Sequence, residues 1–406
     1  FRRDPAADLS QVAPLDLSAR SLVRPGVGWA ILRTGPGPDA AAVYLKYGVY
    51  GSGHGHPDKL NFLFYDQGAE LISDQGYLGA RHEISPWNRS TLCHNVVMFD
   101  GQPQTRAAGE LLAFMAGDTL QTVLARGEKA APPATRYERL LSLVDHGVGR
   151  RYLLDVVRAE GGARQDFVMH GAGQDFTPPS GNWQPFTEEV CTPAAGGGGK
   201  TRWLRSVQGT TAPSDRVTAT WSEGGRSVRL DQLTTAGTQL LHLVAPGQRN
   251  RNNPWEKRDL HLLQVRRPGP SNVFVSVLQA VGASGPTPAV QSVPITATAG
   301  EARAVEISGP DFTDLLAVTD PAAGPGPARC GDRLAFTGQQ AFVSRAGGTT
   351  TVALMNGSAL SAAGVRLTMK PPLSGKLVAV DQEHFSVTVD CPGLPAGAAM
   401  VGQQLL

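Results

Sequence analysis

The chain of 406 residues is long enough for one large domain or for two to three ordinary domains, each with its own hydrophobic core. Hydrophobic residues make up 41% of it and charged residues 18%, which is typical of a globular protein. The formal net charge of +2, with the arginines spread along the chain, argues against a nucleic-acid-binding protein. No apolar stretch approaches the roughly 18 residues of a membrane span.

The first residues, FRRDPAADLSQVAPLDL, contain neither a methionine nor an apolar core, so they do not resemble a signal peptide. We expect the chain to begin partway through a longer protein.

The predicted elements that follow are short β-strands. AAVYLKYGVYG, RYLLDVVRA, TQLLHLVA, DLHLLQVRR and SNVFVSVLQAV combine β-branched and aromatic residues and are bounded by Gly, Pro, Asn or Asp. Residues 105–117 have a composition that suits a helix, but the surrounding strand pattern outweighs it. Regularly spaced strands favour stacked antiparallel sheets, so we predict a mostly β fold with a large antiparallel β-sandwich.

Three stretches rich in Gly and Pro are predicted loops or linkers: 192–200, 282–289 and 320–332. The last is the best candidate for a domain boundary. We therefore predict a β-sandwich over residues 1–320, which carries the candidate site described below, and a small C-terminal β-module over residues 321–406.

The four cysteines, Cys93, Cys191, Cys330 and Cys391, form no CxxC pair, which argues against a cysteine-based zinc knuckle. Two interpretations stay open: one or two disulfides in an exported protein, or separate buried thiols.

The histidines are unevenly distributed, because His54, His56, His82 and His94 fall within about forty residues, together with several carboxylates. His54 and His56 are two residues apart, so they point to the same face if the backbone is extended. Zinc binds imidazole nitrogen and carboxylate oxygen, usually in tetrahedral geometry. The residues by themselves leave three interpretations open for the stretch GSGHGHPDKLN: a metal site, an acid–base centre or a glycine-rich turn.

Residues 44–104 contain YGVYGSGHGHPDKLNFLFYDQGAELISDQGYLG and, after a gap, PWNRSTLCHNVVMFDGQPQ. This order of motifs resembles the signature region of the heparinase II/III-like polysaccharide lyases. That group includes enzymes that act on heparin and heparan sulfate, and related alginate lyases. Looser similarity extends over most of the first 280 residues.

The resemblance implies that His54 projects into the active site, where it neutralises the substrate carboxylate or transfers a proton. It also implies that His56, Asp74 and His94 bind a structural zinc ion. Tyr77, which follows Asp74, is the nearest candidate for a catalytic phenol.

The same resemblance suggests supporting and substrate-binding residues. Asn95 would hold the local turn, and Asp58 would orient a ligand histidine. We predict four substrate-binding side chains: Arg81, His82, Arg89 and His170. The arginines suit sulfate or carboxylate groups because a guanidinium is planar and presents two donors to such anions.

The reaction of these lyases is β-elimination on a uronic acid. A base removes the C5 proton, the C4–O bond breaks, and an unsaturated sugar remains. The carboxylate must be neutralised as enolate charge develops, and a His or Tyr serves as base and a Tyr as acid. The expected substrate is an anionic polysaccharide or oligosaccharide outside the cytoplasm, which implies a secreted or periplasmic protein with structural zinc and no organic cofactor.

The sequence departs from the family in two ways. Fuller members of the family carry an N-terminal α/α toroid that forms the other wall of the cleft, and this sequence contains no counterpart of it. We expect such a domain to complete the cleft, either as another part of the same protein or as a separate chain. Asn88 stands where many relatives have a Tyr. A homo-oligomer is also compatible with the sequence.

Two alternatives from other classes stay open. In the first, the chain is a non-catalytic β-sandwich that binds carbohydrate or supports a larger enzyme. In the second, it is a zinc hydrolase with metal-bound water, since three protein ligands are what a catalytic zinc needs.

Overall fold

The structure is a computed structural model that describes residues 21–49, 55–76, 78, 82–195, 202–247, 258–282, 287–324, 326–369, 376–381 and 386–390. Within these ranges helices are few and short: an α-helix at Ser85–Asn88 and 3-10 helices at Thr91–Cys93, Glu128–Ala130 and Pro321–Ala323. The strand Glu110–Ala116 occupies the segment whose composition suited a helix. The mostly β fold is therefore confirmed.

The chain forms two compact units, one made of residues 1–112 and 121–285 and the other of residues 113–120 and 286–406. The first unit contains an antiparallel five-stranded sheet whose strands follow one another in space as in sequence. Its strands are Leu22–Arg24, Trp29–Arg33, Ala42–Lys46, Phe62–Asp66 and Ala69–Ile72.

Two larger antiparallel sheets form the sandwich. The eight-stranded sheet runs, in spatial order, Asp175–Thr177, Arg216–Glu223, Arg226–Leu233, Ser271–Val281, Tyr152–Glu160, Arg136–Val144, Leu120–Arg126 and Glu110–Ala116. The six-stranded sheet runs Gln184–Pro185, Ser206–Thr211, Gln239–Gly247, Arg258–Pro268, Arg164–His170 and Val97–Phe99.

The six- and eight-stranded sheets face each other across an apolar core. Phe167 of the first stacks on Phe274 of the second, with ring centroids 5.5 Å apart, and both side chains are fully buried. Phe99 and Tyr137 form a second aromatic contact between the sheets. Burial of aromatic rings of this size supplies a large share of the hydrophobic stabilisation of such a core.

The second unit contains two five-stranded sheets and a hairpin. The first sheet runs Ala289–Ser292, Arg303–Ser308, Phe312–Val318, Gln340–Ala346 and Thr349–Met355. The other sheet runs Thr296–Ala297, Pro327–Cys330, Leu334–Thr337, Ala359–Ala362 and Val365–Thr368, and the hairpin joins Lys376–Asp381 to Ser386–Asp390.

The predicted domain boundary between residues 320 and 321 falls inside this second unit. Phe312–Val318 pairs with Gln340–Ala346, so the Pro- and Gly-rich stretch between them is a connection within one sheet. The apolar core of the unit draws on both sides of that stretch, since Ala304 and Leu315 pack with Phe336 and Leu360.

Cys93, Cys191 and Cys330 are buried free thiols, and Cys391 lies outside the described residues. Burial raises the pKa of Cys191 to about 12 and that of Cys330 to about 11, which keeps both thiols protonated. In the part of the chain that the structure describes, no helix has the length and apolar character required to cross a membrane.

Candidate functional site

His56, Asp74 and His94 converge on one point of the first unit. His56 lies in the loop before the strand Phe62–Asp66, Asp74 follows the strand Ala69–Ile72, and His94 follows the 3-10 helix Thr91–Cys93. One donor atom from each lies within 4.8 Å of those of the other two. Ligands on a tetrahedral zinc lie about 3.3 Å apart, so separations within this limit are compatible with a shared ion.

The two imidazoles are buried, and each leaves one nitrogen without a partner. His94 is fully buried and His56 is 4% exposed, while the side chain of Asp74 is 18% exposed. His94 Nδ1 lies 3.0 Å from Asp74 Oδ1, but Nε2 of His56 and of His94 has no hydrogen-bond partner in the described structure. Buried polar atoms are normally satisfied, so the donor set fits a bound cation.

Burial and charge fix the protonation of these groups. Burial, followed by the neighbouring His94, lowers the pKa of His56 to about 4. Burial by itself would raise the pKa of Asp74, but the charge and hydrogen bond of His94 outweigh it and hold that pKa below its usual range. His56 is therefore neutral and Asp74 ionised near neutral pH, which are the forms that bind metal ions.

Side-chain hydrogen bonds join the segments that carry the two histidines. Thr91 Oγ1 donates to the Pro57 carbonyl at 3.3 Å and accepts from the Gln104 backbone N–H at 2.9 Å. The Gln104 side chain in turn exchanges two hydrogen bonds with the backbone of Lys59, at 2.6 and 3.0 Å. The residue next to His56 is thus tied to the 3-10 helix that precedes His94.

Asn95 links three further segments. Its Nδ2 donates to the Ser73 carbonyl at 3.0 Å, and its Oδ1 accepts from the His170 backbone N–H at 2.7 Å. Its own backbone N–H donates to Asn61 Oδ1 at 3.1 Å. Asn95 therefore occupies the supporting position that the resemblance implies, between His94 and the residue before Asp74.

Asp58 is placed differently from the prediction that it orients a ligand histidine. Its Oδ2 accepts from Lys46 Nζ at 2.7 Å, and its Oδ1 lies 3.6 Å from Nζ of the buried Lys59. A carboxylate between two ammonium groups serves to neutralise them, since an unpaired buried cation would be costly.

His170 does not fit the predicted contact with substrate. Its side chain is fully buried, and its Nε2 lies 3.0 Å from the Cys93 carbonyl. Burial lowers its pKa to about 4, so the imidazole is neutral. His170 therefore supports the segment that ends at His94 through its contact with the Cys93 carbonyl.

The other predicted residues lie at the edge of the described segments or beyond them. His54, Tyr77 and Arg81 are outside the described residues. His82 is half-buried, and its Nδ1 accepts from the Ile84 backbone N–H at 3.3 Å. Arg89 is half-buried at the end of the helix Ser85–Asn88, in which Asn88 is fully buried.

Asp74 also lines a polar pocket. The residues that share this pocket include Glu70, Ser73, Gln75, residues 171–173, Arg258 and Asp259. The only partly exposed member of the His56/Asp74/His94 set therefore faces a space that can hold polar groups.

The sequence interpretation missed Arg139 and Asp155, which support the site from the eight-stranded sheet. Both side chains are fully buried and paired, and Arg139 Nη1 donates to the carbonyls of Leu60 and Asn95. The sequence did contain a signal, because Asp155 lies inside the apolar strand YLLDVVRA. A buried charge needs a partner, so an acidic residue at this position indicates a buried ion pair.

Residues 18–131 match the family described as Heparinase II/III-like, C-terminal, and this range contains all three residues of the convergent set. This segment is thus similar to the C-terminal part of the heparinase II/III-like proteins. The resemblance carried by residues 44–104 is thereby confirmed.

Two curated relatives of this family segment are similar to the chain. The first is an alginate lyase of Stenotrophomonas maltophilia, 29% identical over 174 residues, which cover 37% of this chain and 23% of that protein. The other is an exo-oligoalginate lyase of Saccharophagus degradans, 32% identical over 135 residues, which cover 29% of this chain and 18% of that protein. The matched regions thus span less than a quarter of each relative.

Solved structures of heparinase III and of a heparan sulfate lyase from Pedobacter heparinus share the fold. The heparinase III superposes with a TM-score of 0.52 at 15% identity, over 74% of this chain and 42% of its own. The heparan sulfate lyase gives a TM-score of 0.51 at 15% identity, over 83% and 42%. These neighbours confirm the large β-sandwich of the heparinase C-terminal part.

Proposed function

We propose that this chain is part of a polysaccharide lyase that cleaves a uronic-acid-containing glycan by β-elimination. The observation that carries the proposal is the convergence of His56, Asp74 and His94, with two orphaned imidazole nitrogens, inside a heparinase II/III-like segment. Asp74 also lines a polar pocket, so one member of the set is open to polar groups.

We further propose zinc as the cation that His56, Asp74 and His94 hold. When bound, it would join the loop of His56 to the segments of Asp74 and His94. The burial of both histidines favours this structural role, because a catalytic zinc needs an open position for water or substrate. The zinc-hydrolase alternative has no such support.

His54 is the proposed group that faces the substrate, since it is two residues from His56 in the same motif. Its part would be to donate a hydrogen bond to the uronate carboxylate, or to take the C5 proton, as enolate charge develops. Tyr77 is the candidate for protonating the departing oxygen. An N-terminal helical domain would supply the remaining groups of the cleft.

Alginate is the first substrate to test, because both curated relatives are named as lyases of alginate or its oligomers. Alginate consists of uronic acids alone, so every residue carries the carboxylate that the reaction needs. We also propose that the protein acts outside the cytoplasm, where such polysaccharides are found.

The test is the rise in ultraviolet absorbance that accompanies the unsaturated uronate product. We expect the full-length protein to give this signal with alginate or its oligomers, and His54→Ala to abolish it without lowering the melting temperature. The matched control is His146→Ala, a histidine outside the motif, which should keep full activity.

Absence of product from alginate, heparan sulfate, chondroitin and hyaluronan would contradict the lyase proposal. If the protein instead bound one of these glycans tightly without turnover, the non-catalytic carbohydrate-binding function would replace it.

A further inference from the structure

We infer that Arg139 is a positioning residue that fixes the distance between the two histidine-bearing segments of the metal site. This inference rests on the proposed zinc site. Arg139 lies on the strand Arg136–Val144 of the eight-stranded sheet, and its Nη1 donates to the carbonyl of Leu60 at 2.8 Å and to that of Asn95 at 2.5 Å. Leu60 is four residues after His56, and Asn95 is adjacent to His94.

Asp155 on the neighbouring strand holds the guanidinium from its other side. Arg139 Nε and Nη2 donate to the two carboxylate oxygens of Asp155 at 2.8 and 2.5 Å, and both side chains are fully buried. This paired arrangement orients the guanidinium as well as neutralising it. One nitrogen, Nη1, is thereby directed at the two carbonyls.

Aromatic rings restrict the guanidinium further. Its central carbon lies 4.4 Å from the centroid of the Phe62 ring and 5.8 Å from that of Phe167. Phe62 begins the strand that follows the His56 loop, and Phe167 lies in the sandwich core. A lysine at this position would keep the charge but lack the planar fork, so it could not bind Asp155 and both carbonyls in the same geometry.

The backbone at Leu60 needs such an anchor. Leu60 has a φ of 66°, a left-handed conformation that is uncommon for a residue with a branched side chain. Its carbonyl bond to Arg139 and its N–H bond to the Lys46 carbonyl at 2.8 Å fix this conformation. Loosening the carbonyl contact would allow the loop of His56 to move relative to His94.

The chain offers a matched control in Arg266. This arginine is also buried, donates to a buried aspartate, Asp166, at 2.7 Å, and donates to the Val190 carbonyl at 2.7 Å. Neither Asp166 nor Val190 is one of the proposed ligands, and neither lies in the loop that follows His56 or next to His94 in the sequence. Arg266→Lys therefore disturbs the fold in a similar way without changing the distance between the histidine segments.

The experiment compares zinc affinity in the full chain and in three variants, Arg139→Lys, Asp155→Asn and Arg266→Lys, by competition with a chromogenic chelator well below each melting temperature. We expect Arg139→Lys to bind zinc about 10- to 100-fold more weakly, as loss of an outer-shell partner does. Asp155→Asn should weaken binding less, and Arg266→Lys should leave it unchanged. Cobalt loaded in place of zinc should show an altered visible spectrum in Arg139→Lys and, to a smaller extent, in Asp155→Asn, but not in Arg266→Lys.

Wild-type zinc affinity and an unchanged cobalt spectrum in Arg139→Lys would overturn the inference, as would equal losses in Arg139→Lys and Arg266→Lys. If Arg139→Lys fails to fold, the zinc affinity and the cobalt spectrum of Asp155→Asn serve as the test instead, and wild-type values of both would overturn the inference. A wild-type chain that binds neither metal would overturn the zinc proposal itself, whereas the lyase proposal is decided separately by the absorbance of the product.

Discussion

The first unit contains two pairs of neighbouring histidines that differ in how their nitrogens are satisfied. The rings of His56 and His94 are 5.2 Å apart, and those of His242 and His261 are 5.3 Å apart. His242 Nε2 and His261 Nδ1 share a hydrogen bond of 3.0 Å, and Phe176 packs against both rings. His56 and His94 instead leave an Nε2 each without a partner in the described structure.

Closeness of two histidines does not by itself provide a set of atoms that can bind a metal ion. Asp74 gives the first pair a third, anionic donor, and within the described residues no other group of three such donors comes together. The second pair lies between sheets, where Trp221 Nε1 donates to the His261 carbonyl and the two imidazoles satisfy each other. The first pair therefore has free coordinating atoms, whereas the second is a packing contact.

The largest expected effect is that of His94→Ala, which removes a donor of the first pair. Loss of a residue that supports a metal ligand typically weakens binding by about 10- to 100-fold, and we expect the loss of His94, a ligand itself, to weaken zinc binding by more than that. The melting temperature should fall to that of chelator-treated wild type, because structural zinc contributes directly to folding free energy. Metal analysis after gel filtration, with melting curves with and without chelator, measures both. Full zinc content in His94→Ala would show that the pair is not a metal site.

Asp74→Asn tests the third donor, the feature that the second pair lacks. The variant keeps an oxygen near His94 but loses the negative charge, so we expect zinc binding to weaken by about 10- to 100-fold without vanishing. Competition with a chromogenic chelator gives the ratio of affinities, and a value equal to that of wild type would remove Asp74 from the ligand set.

His242→Phe is the matched change in the second pair and should have a much smaller effect. Zinc content and lyase activity should be unchanged. The free energy of unfolding should fall by about 1 kcal/mol, the net contribution of one hydrogen bond, and urea titration measures it. Loss of zinc from this variant would mean that the two pairs are coupled.

The smallest effect concerns pH. Burial, and then the charge of His261, lowers the pKa of His242 to about 4. Burial also lowers the pKa of His261, but the charges of Asp259 and Asp175 act to raise it. The unfolded chain, with a histidine pKa near 6.5, then binds more protons than the folded one. The stability that His242 contributes is present above about pH 6.5 and is lost as the pH falls towards 4.

In His242→Phe the free energy of unfolding should therefore decline less steeply as the pH falls through this window. The slopes of wild type and variant should differ by the binding of about one proton at most. Urea titrations at several pH values, in wild type and variant, give the two slopes. Parallel slopes would contradict the shifted pKa of His242.

Much of the fold followed from local patterns. Strand propensity predicted the sandwich because β-branched and aromatic runs bounded by turn residues favour the extended backbone wherever they lie. The domain boundary did not follow, because a Gly- and Pro-rich stretch such as 320–332 looks the same within a sheet as between domains. Pairing of Phe312–Val318 with Gln340–Ala346 is a long-range choice that composition does not encode.

Local sequence patterns were enough to predict the β class and the order of motifs, and the family resemblance indicated which histidines and which aspartate to consider together. The burial of His170 beside the segment of His94, the neutralisation of two lysines by Asp58 and the contacts of Arg139 with the carbonyls of Leu60 and Asn95 became visible in the folded chain. The reason is physical: side-chain alternation gives the face on which a residue lies, whereas its partner depends on strands that are far apart in sequence and meet only in the packed sandwich.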